Sequence, residues 1–153
     1  MAYSIAGSGQ SRRHSSLPIL PAMPAPTSEL HIITKAKDLC AYVLTITEKS
    51  PKRFRFTLVG RMQNLAFDLI EQSYRANEIY TLGANREAAT ARRLDLQHSA
   101  LTSVKLLAYM ALLAREQGCI LPKQYEHIAQ LASDCQNLLG AWIISDAKRN
   151  GRK

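Results

Sequence analysis

A cluster of basic and aromatic residues near the middle of the chain is the part of the sequence best suited to chemistry. Five cations fall between Lys49 and Arg61, with two phenylalanines among them and no acidic residue before Asp68. Guanidinium and ammonium groups contact phosphate oxygens, and neighbouring aromatic rings stack on bases. The cluster therefore predicts a nucleic-acid or partner-binding site. Its predicted binding residues are Lys52, Arg53, Arg55 and Arg61, beside Phe54 and Phe56. The alternative is a solvated loop whose phenylalanines pack as core.

A second basic group extends this candidate site. Arg86, Arg92 and Arg93 stand together at the predicted start of the third helix, and we predict that they also bind the polyanionic partner. Arg75 is a weaker candidate, because acidic residues four positions before it and three after it on the same helix can pair with it.

The sequence offers little for catalysis. It has no phosphate-cradling glycine loop, no G-x-S-x-G and no H-E-x-x-H. Asp95 and His98 have the i, i+3 spacing of bundle di-iron sites, but such sites need two of these pairs and two further carboxylates. We therefore predict no enzymatic activity, no cofactor and no metal, and we expect His98 on the inner face of a bundle. A bundle metalloenzyme remains the alternative from another functional class.

These residues must be positioned by helices, because no segment alternates with period two. Ser28 and Thr57 are predicted N-caps, Gly83 and Gly118 predicted C-terminal caps, and Pro122 a preferred first helical residue. Short connections between long helices predict an antiparallel up-down four-helix bundle over residues 28–147. The predicted helices cover residues 28–49, 57–82, 85–117 and 122–147.

Apolar residues three or four positions apart mark the faces that should form the core. The expected buried residues of the first helix are Leu30, Ile33, Cys40, Val43 and Ile46. Those of the second are Leu58, Met62, Leu65, Leu69 and Ala76. The last helix contributes Tyr125, Ile128, Ala132, Cys135, Leu139 and Trp142.

Both termini differ in composition from the helical body. The formal net charge is +8, of which residues 1–27 contribute +2 and residues 146–153 contribute +3, leaving +3 for the body. Prolines at 18, 21, 24 and 26 forbid helix and favour extended chain. We predict a flexible Pro/Ser-rich tail over residues 1–27 and a basic tail over 148–153. A docking peptide within the first tail is the alternative.

The cysteines and the hydropathy of the chain indicate in which cellular compartment the protein is expected. The three cysteines are odd in number and show no C-x-x-C spacing, as suits small apolar side chains in a reducing cytoplasm. No signal peptide is visible, and the longest apolar run is too short to span a bilayer. We therefore expect a cytoplasmic protein without a membrane partner.

The stretch between residues 104 and 114 is apolar on nearly every face. A bundle helix needs only about three apolar positions in seven, so the surplus predicts self-association. Shielding by loops or by the N-terminal tail is the alternative. The predicted oligomer-interface residues are Leu106, Leu107, Tyr109, Met110 and Leu113.

Several segments resemble one known family over about residues 29–145. The Arg55-Phe56-Thr57-Leu58 entry, the residues at 63–66, 68–71 and 75–77, and the terminal segments at 121–128 and 138–142 are similar to those of accessory variability determinant (Avd) proteins of diversity-generating retroelements. The four-helix proteins encoded in ribosomal-RNA intervening sequences share the same outline. The R-F-T-L entry and the terminal G-x-W favour the Avd branch.

The resemblance implies a basic four-helix bundle that assembles as a homopentameric barrel. It implies a non-catalytic accessory subunit that binds the reverse transcriptase of the element, its template RNA and the cDNA, in support of mutagenic reverse transcription. The chain departs from the family in its long Pro-rich N-terminus and in the modest charge of its body. An orphan protein of the intervening-sequence type, with a nucleic-acid or protein-binding role, is the alternative.

Overall fold

The protein is all-helical over residues 28–151, which the computed structural model describes, with side chains from residue 31 onward. Four α-helices are present, α1 (Ser28–Thr47), α2 (Gly60–Glu78), α3 (Arg86–Glu116) and α4 (Pro122–Asn150). One 3₁₀ turn (Lys52–Phe54) and one π-helical turn (Arg55–Val59) connect α1 to α2. The prediction of four helices is confirmed. The predicted N-terminal tail lies outside the described residues.

The helices pack in chain order around a common core. Each of them contacts two neighbours, in the order α1, α2, α3, α4 and back to α1. The predicted stripe of α4 is confirmed, since every member from Ile128 to Trp142 is buried and Tyr125 packs at its edge. On α1 the predicted Cys40, Val43 and Ile46 are buried, whereas Ile33 packs only partly and Ile32 takes its place in the core. The side chain of the predicted Leu30 lies outside the described residues. Burial of each large aliphatic side chain stabilises the folded state by roughly 1.5–3 kcal/mol relative to leaving it exposed.

The boundaries of α3 and α4 agree closely with the predictions. Gly118 has a φ of 76°, a left-handed conformation that glycine adopts without strain at the end of a helix. Pro122 begins α4, and the Gln124 side-chain oxygen accepts the Leu121 N–H at 2.9 Å. The helix continues to Asn150, so the predicted basic tail over 148–153 begins inside α4.

The second helix is shorter than predicted at both ends. Its start is not capped by Thr57, because that residue already lies within the π-helical turn. Its end is Glu78, because Ile79 adopts an extended backbone with ψ at 118°. Gly83 therefore does not cap α2; with a φ of 97° it forms the turn that leads into α3.

The apolar stretch of α3 divides between core and surface. Val104, Leu107, Ala111 and Ala114 are buried within the single chain. Leu107 is therefore not available to a second copy, and its prediction as an interface residue is wrong. Tyr109 is exposed, whereas Leu106, Met110 and Leu113 are half-buried. These four residues remain on the surface as candidates for self-association.

The cysteines behave as small apolar side chains. Cys40, Cys119 and Cys135 are all buried and form no disulfide. Burial raises the pKa of the Cys135 thiol to about 12, so this sulfur stays protonated and unreactive. None of the helices described is long and apolar enough to cross a membrane.

Candidate nucleic-acid interface

We call residues 49–61 the basic turn. They comprise the connection between α1 and α2 after the exposed Glu48, and the first two residues of α2. Pro51 has an extended backbone, with a φ of −54° and a ψ of 137°. Because proline lacks a backbone N–H, α1 cannot continue through it. The 3₁₀ turn and the wider π-helical turn follow before α2 begins. All five cations of the basic turn are exposed: Lys49, Lys52, Arg53, Arg55 and Arg61.

The π-helical turn separates the roles of the two phenylalanines. The Gly60 N–H donates to the carbonyl oxygens of Arg55 and Thr57, and a Cβ at Gly60 would lie 3.3 Å from the Arg55 oxygen. The wide turn leaves Phe54 half-buried against the core, whereas Phe56 is 90% exposed. An aromatic ring held in solvent beside four cations is suited to stacking on a base. The alternative that both rings are core is wrong for Phe56.

Hydrogen bonds fix the basic turn to the bundle on both sides. The Ser50 hydroxyl donates to the Cys119 carbonyl at 2.8 Å, which joins the turn to the connection between α3 and α4. The Gln63 amide donates to the Thr47 hydroxyl at 3.1 Å, which joins α1 to α2. The cations are therefore presented from a rigid base, which improves positioning of phosphate contacts.

Arg53 lies near the connection between α3 and α4. Its guanidinium stacks over the Phe54 ring at 4.6 Å from the centroid, which leaves its N–H edges available. Burial raises the pKa of the Cys119 thiol, and the Ser50 side chain and the Arg53 charge oppose that rise. The positive charge of Arg53 therefore reaches the α3–α4 connection as well.

A small groove runs beside the same cations. It has a volume of about 340 Å³, and its lining includes Glu48, Ser50, Pro51, Lys52, Arg55 and Gln63. A backbone phosphate placed between Lys52 and Arg55 would contact two cations at once.

The second predicted basic group does not form one exposed cluster. Arg93 is only 8% exposed, and its Nε and Nη2 donate to the two Asp146 carboxylate oxygens at 2.6 and 3.1 Å. Its guanidinium stacks on Trp142 at 5.0 Å. Its prediction as a nucleic-acid-binding residue is wrong, because a buried guanidinium satisfied by a carboxylate cannot reach a phosphate.

Other side chains complete this buried network. Gln97 donates to Asp146 at 2.8 Å, and Arg149 bonds the same carboxylate from the surface. Burial alone would raise the pKa of Asp146, but the hydrogen bonds from Arg93, Arg149 and Gln97 outweigh it and hold the pKa below its usual value of 3.8. The carboxylate is therefore charged at neutral pH and locks α4 to α3.

The remaining two members of the second group differ from each other. Arg86 donates to the Asn150 carbonyl at 3.1 Å and so caps the end of α4. Arg92 is exposed, but it lines a different groove with Tyr74 and Leu96. The second group lies beyond the far end of α2, roughly 28 Å from the basic turn, so the structure does not unite the two groups.

Sequence spacing contained a signal for the role of Arg93. Arg93, Gln97, Ala100, Val104 and Leu107 follow one another at spacings of four, three, four and three, and all are buried. A charged residue in register with an apolar stripe indicates a buried ion pair rather than a surface site. Its partner Asp146 continues the stripe of α4, four residues after Trp142.

Neither a metal site nor a known relative is found for the described chain. His98 is exposed, so the expectation that it lies on the inner face is wrong. Within residues 28–151 no group of three or more His, Cys, Asp or Glu side chains is placed to hold a metal ion. Comparison of the chain with protein-family models, curated proteins and solved structures gives no match.

Proposed function

We propose that this protein is a non-catalytic accessory subunit of a diversity-generating retroelement, which binds the reverse transcriptase and the template RNA or cDNA. The observation that carries the proposal is the basic turn, where four predicted cations and Phe56 are exposed together on a fixed connection. The cations supply phosphate contacts and the ring supplies stacking. The family assignment itself rests on the resemblance of the sequence segments.

We also propose that the helices run antiparallel in an up-down bundle. Three contacts support this arrangement, each between segments distant in the chain. Ser50 bonds Cys119, which brings the ends of α1 and α3 together. Arg86 bonds Asn150, which brings the start of α3 to the end of α4, and Thr47 contacts Gln63 near the start of α2.

The proposed assembly is a homopentameric barrel. Its support is the surface of α3, where Tyr109 is exposed beside the half-buried Leu106, Met110 and Leu113. Copies related by rotation would bring their basic turns to one end of the barrel. Such a ring of positive charge would focus the potential felt by a nucleic acid.

Light scattering tests the assembly. The wild-type mass should lie near five times the 17.0 kDa chain, and Leu113→Asp should lower it because a carboxylate would be buried between copies. Leu113→Ala serves as the milder matched variant, and circular dichroism should show that both stay helical. A monomeric wild type at micromolar concentration would remove the support for the barrel.

Association with the transcriptase and RNA tests the function. The purified protein should retain single-stranded RNA with an affinity that falls steeply as salt rises, by about 0.7 in log slope per phosphate contact. It should also co-purify with the reverse transcriptase encoded beside it. Binding to RNA without binding to any transcriptase would instead favour a protein of the intervening-sequence type, and binding to neither would contradict the proposal.

A further inference from the structure

An open groove of about 970 Å³ lies where α2 ends and α3 begins. Its lining includes Tyr74, Ile79, Tyr80 and Leu82 together with Leu96 from α3. Tyr74, Tyr80 and Leu82 are 55, 74 and 62% exposed. Exposed tyrosines beside an exposed leucine are costly to hydrate, so this groove is suited to an apolar ligand.

The walls of the groove are firmly held. The Ile79 carbonyl accepts a hydrogen bond from Arg93 Nη1 at 3.4 Å, and Arg93 is itself anchored by Asp146. The extended segment after α2 is thereby tied to α3. A pre-formed aromatic groove costs little ordering when a ligand binds.

The charges around the groove argue against a nucleic acid. Arg75 and Arg92 are matched by Glu78 and Asp95 in the lining, and Arg75 is also paired with Glu71 at 2.7 Å. Two cations and two anions leave no net charge to attract phosphates. Neutral grooves lined by aromatic rings are instead the usual docking site for proline-rich segments in polyproline conformation.

We propose that this groove binds residues 17–26 of the same chain. These residues read Leu-Pro-Ile-Leu-Pro-Ala-Met-Pro-Ala-Pro, which carries no charge and presents a proline at almost every turn of a polyproline helix. The segment therefore matches the groove in polarity and in ligand class. One residue, Thr27, separates this segment from Ser28, where α1 begins.

The position of α1 brings the segment to the groove. Thr47 contacts Gln63, and α1 and α2 pack along each other with helix axes roughly 8–10 Å apart. Ser28 lies roughly 28 Å back along α1 from Thr47, and Glu78 lies roughly 23 Å along α2 from Gln63. The start of α1 is therefore level with the extended segment that carries Tyr80 and Leu82.

The length of the segment is sufficient for docking within one chain. Ten residues of polyproline helix extend about 31 Å, which is enough to cross from α1 over the last turn of α2 to α3. Attachment through a single residue, Thr27, gives a high effective concentration. Docking within the chain is therefore favoured over docking of the segment from a second copy.

Photo-cross-linking in the full-length chain tests this proposal. The photoreactive residue p-benzoylphenylalanine in place of Leu82 should capture the tryptic peptide that begins at His14, as identified by mass spectrometry. The product should migrate as a single chain on a denaturing gel. The same probe in place of the exposed Tyr109, which lies outside the groove, is the matched control and should not capture this peptide.

Two sets of variants sharpen the result. Tyr74→Ala with Tyr80→Ala should lower the cross-linked fraction about tenfold, because two aromatic contacts are lost. Pro18→Ala with Pro21→Ala should lower it as well, by loosening the polyproline conformation. Circular dichroism checks that the helices are retained in each variant.

Each other outcome overturns the proposal. Absence of the cross-link, or equal capture at Tyr109, would mean that the groove does not hold the segment. A product at twice the chain mass would assign the groove to a second copy. The assay uses neither RNA nor transcriptase, so its outcome and that of the proposed function are separable.

Discussion

The arginines near the two ends of α2 have opposite roles. Before the helix, Arg53 and Arg55 stand in solvent within the basic turn, which contains no acidic residue. Beyond it, Arg93 is buried, bidentate to Asp146 and stacked on Trp142. Both clusters look alike in composition, yet one is available to a partner and the other fastens two helices together.

The difference teaches that the helical face, rather than the density of basic residues, decides the role of an arginine. A guanidinium that points into the core must find a carboxylate, because an unpaired buried charge costs several kcal/mol. A guanidinium on a connection keeps its water until a partner replaces it. The first kind should be tested by stability and the second by binding.

The largest expected effect is on stability at the buried end. Asp146→Ala removes the partner of Arg93 and should lower the free energy of unfolding by about 3–5 kcal/mol, measured by urea denaturation. Glu71→Ala, which removes the exposed pair with Arg75, is the matched control and should cost only about 0.2–0.5 kcal/mol. Equal effects of the two variants would erase the distinction between the ends.

The same carboxylate should also leave a signature in pH. Because the pKa of Asp146 is lowered in the folded protein, its contribution is complete above the unfolded carboxyl pKa and is lost as pH falls through the folded value. Wild-type stability should therefore decline in acid more steeply than that of Asp146→Ala. Parallel pH profiles of the two proteins would contradict this account.

The next effect concerns binding at the exposed end. Arg53→Ala with Arg55→Ala should weaken RNA or transcriptase binding more than deletion of residues 1–27, although each change removes two positive charges. The cations of the basic turn lie on a fixed connection and so position phosphates. Titrations at matched salt measure the difference, after the oligomer mass of each variant has been checked.

The double variant should retain its stability within about 0.5 kcal/mol, since exposed substitutions rarely do more. A loss of affinity with an unchanged unfolding curve is the expected pair of results. If deletion of the N-terminal residues proves the larger loss, the charge acts through the termini and the basic turn is not the site.

The smallest effect separates the two phenylalanines. Phe56→Ala should leave stability unchanged and weaken binding of single-stranded RNA by about 1–3 kcal/mol, the usual worth of one stacked base. Phe54→Ala should instead lower stability, because that ring packs on the core and supports Arg53. Identical binding by Phe56→Ala and the wild type would leave the exposed ring without a stacking role.

The sequence predicted the regular parts of the molecule well. The stripe of α4, the start at Pro122 and the stop at Gly118 all follow from spacing and from residues with few conformational choices. The predicted end of α2 was wrong because Gly83 is a strong stop signal, whereas the contact that Ile79 makes after the helix is a hydrogen bond from the distant Arg93. Tertiary contacts of this kind leave no local trace.

The candidate site was predicted in part for similar reasons. The exposure of the basic turn follows from its composition. It contains no acidic residue that could pair with a buried cation, and its cations do not stand in register with an apolar stripe. The burial of Arg93 and Leu107 follows from the stripe that runs through Gln97, Ala100 and Val104, but the charge of Arg93 and the apolar residues on other sides of α3 obscured that signal. The π-helical turn also has no simple signature, and it is what places Phe56 in solvent.

The order in which the helices pack has a consequence for how the chain folds and opens. In the described residues three extensive helix–helix seams join consecutive helices, and the seam between α1 and α4 closes the ring. Local seams form fastest, because they close the shortest loops. The Arg93–Asp146 pair fastens α4 to α3, whereas α1 is held by the Thr47–Gln63 bond and the contact of Tyr42 with His127. The seam between α1 and α4, which closes the longest loop, should therefore form last in folding, and α1 rather than α4 should be the first helix to detach when the native protein opens.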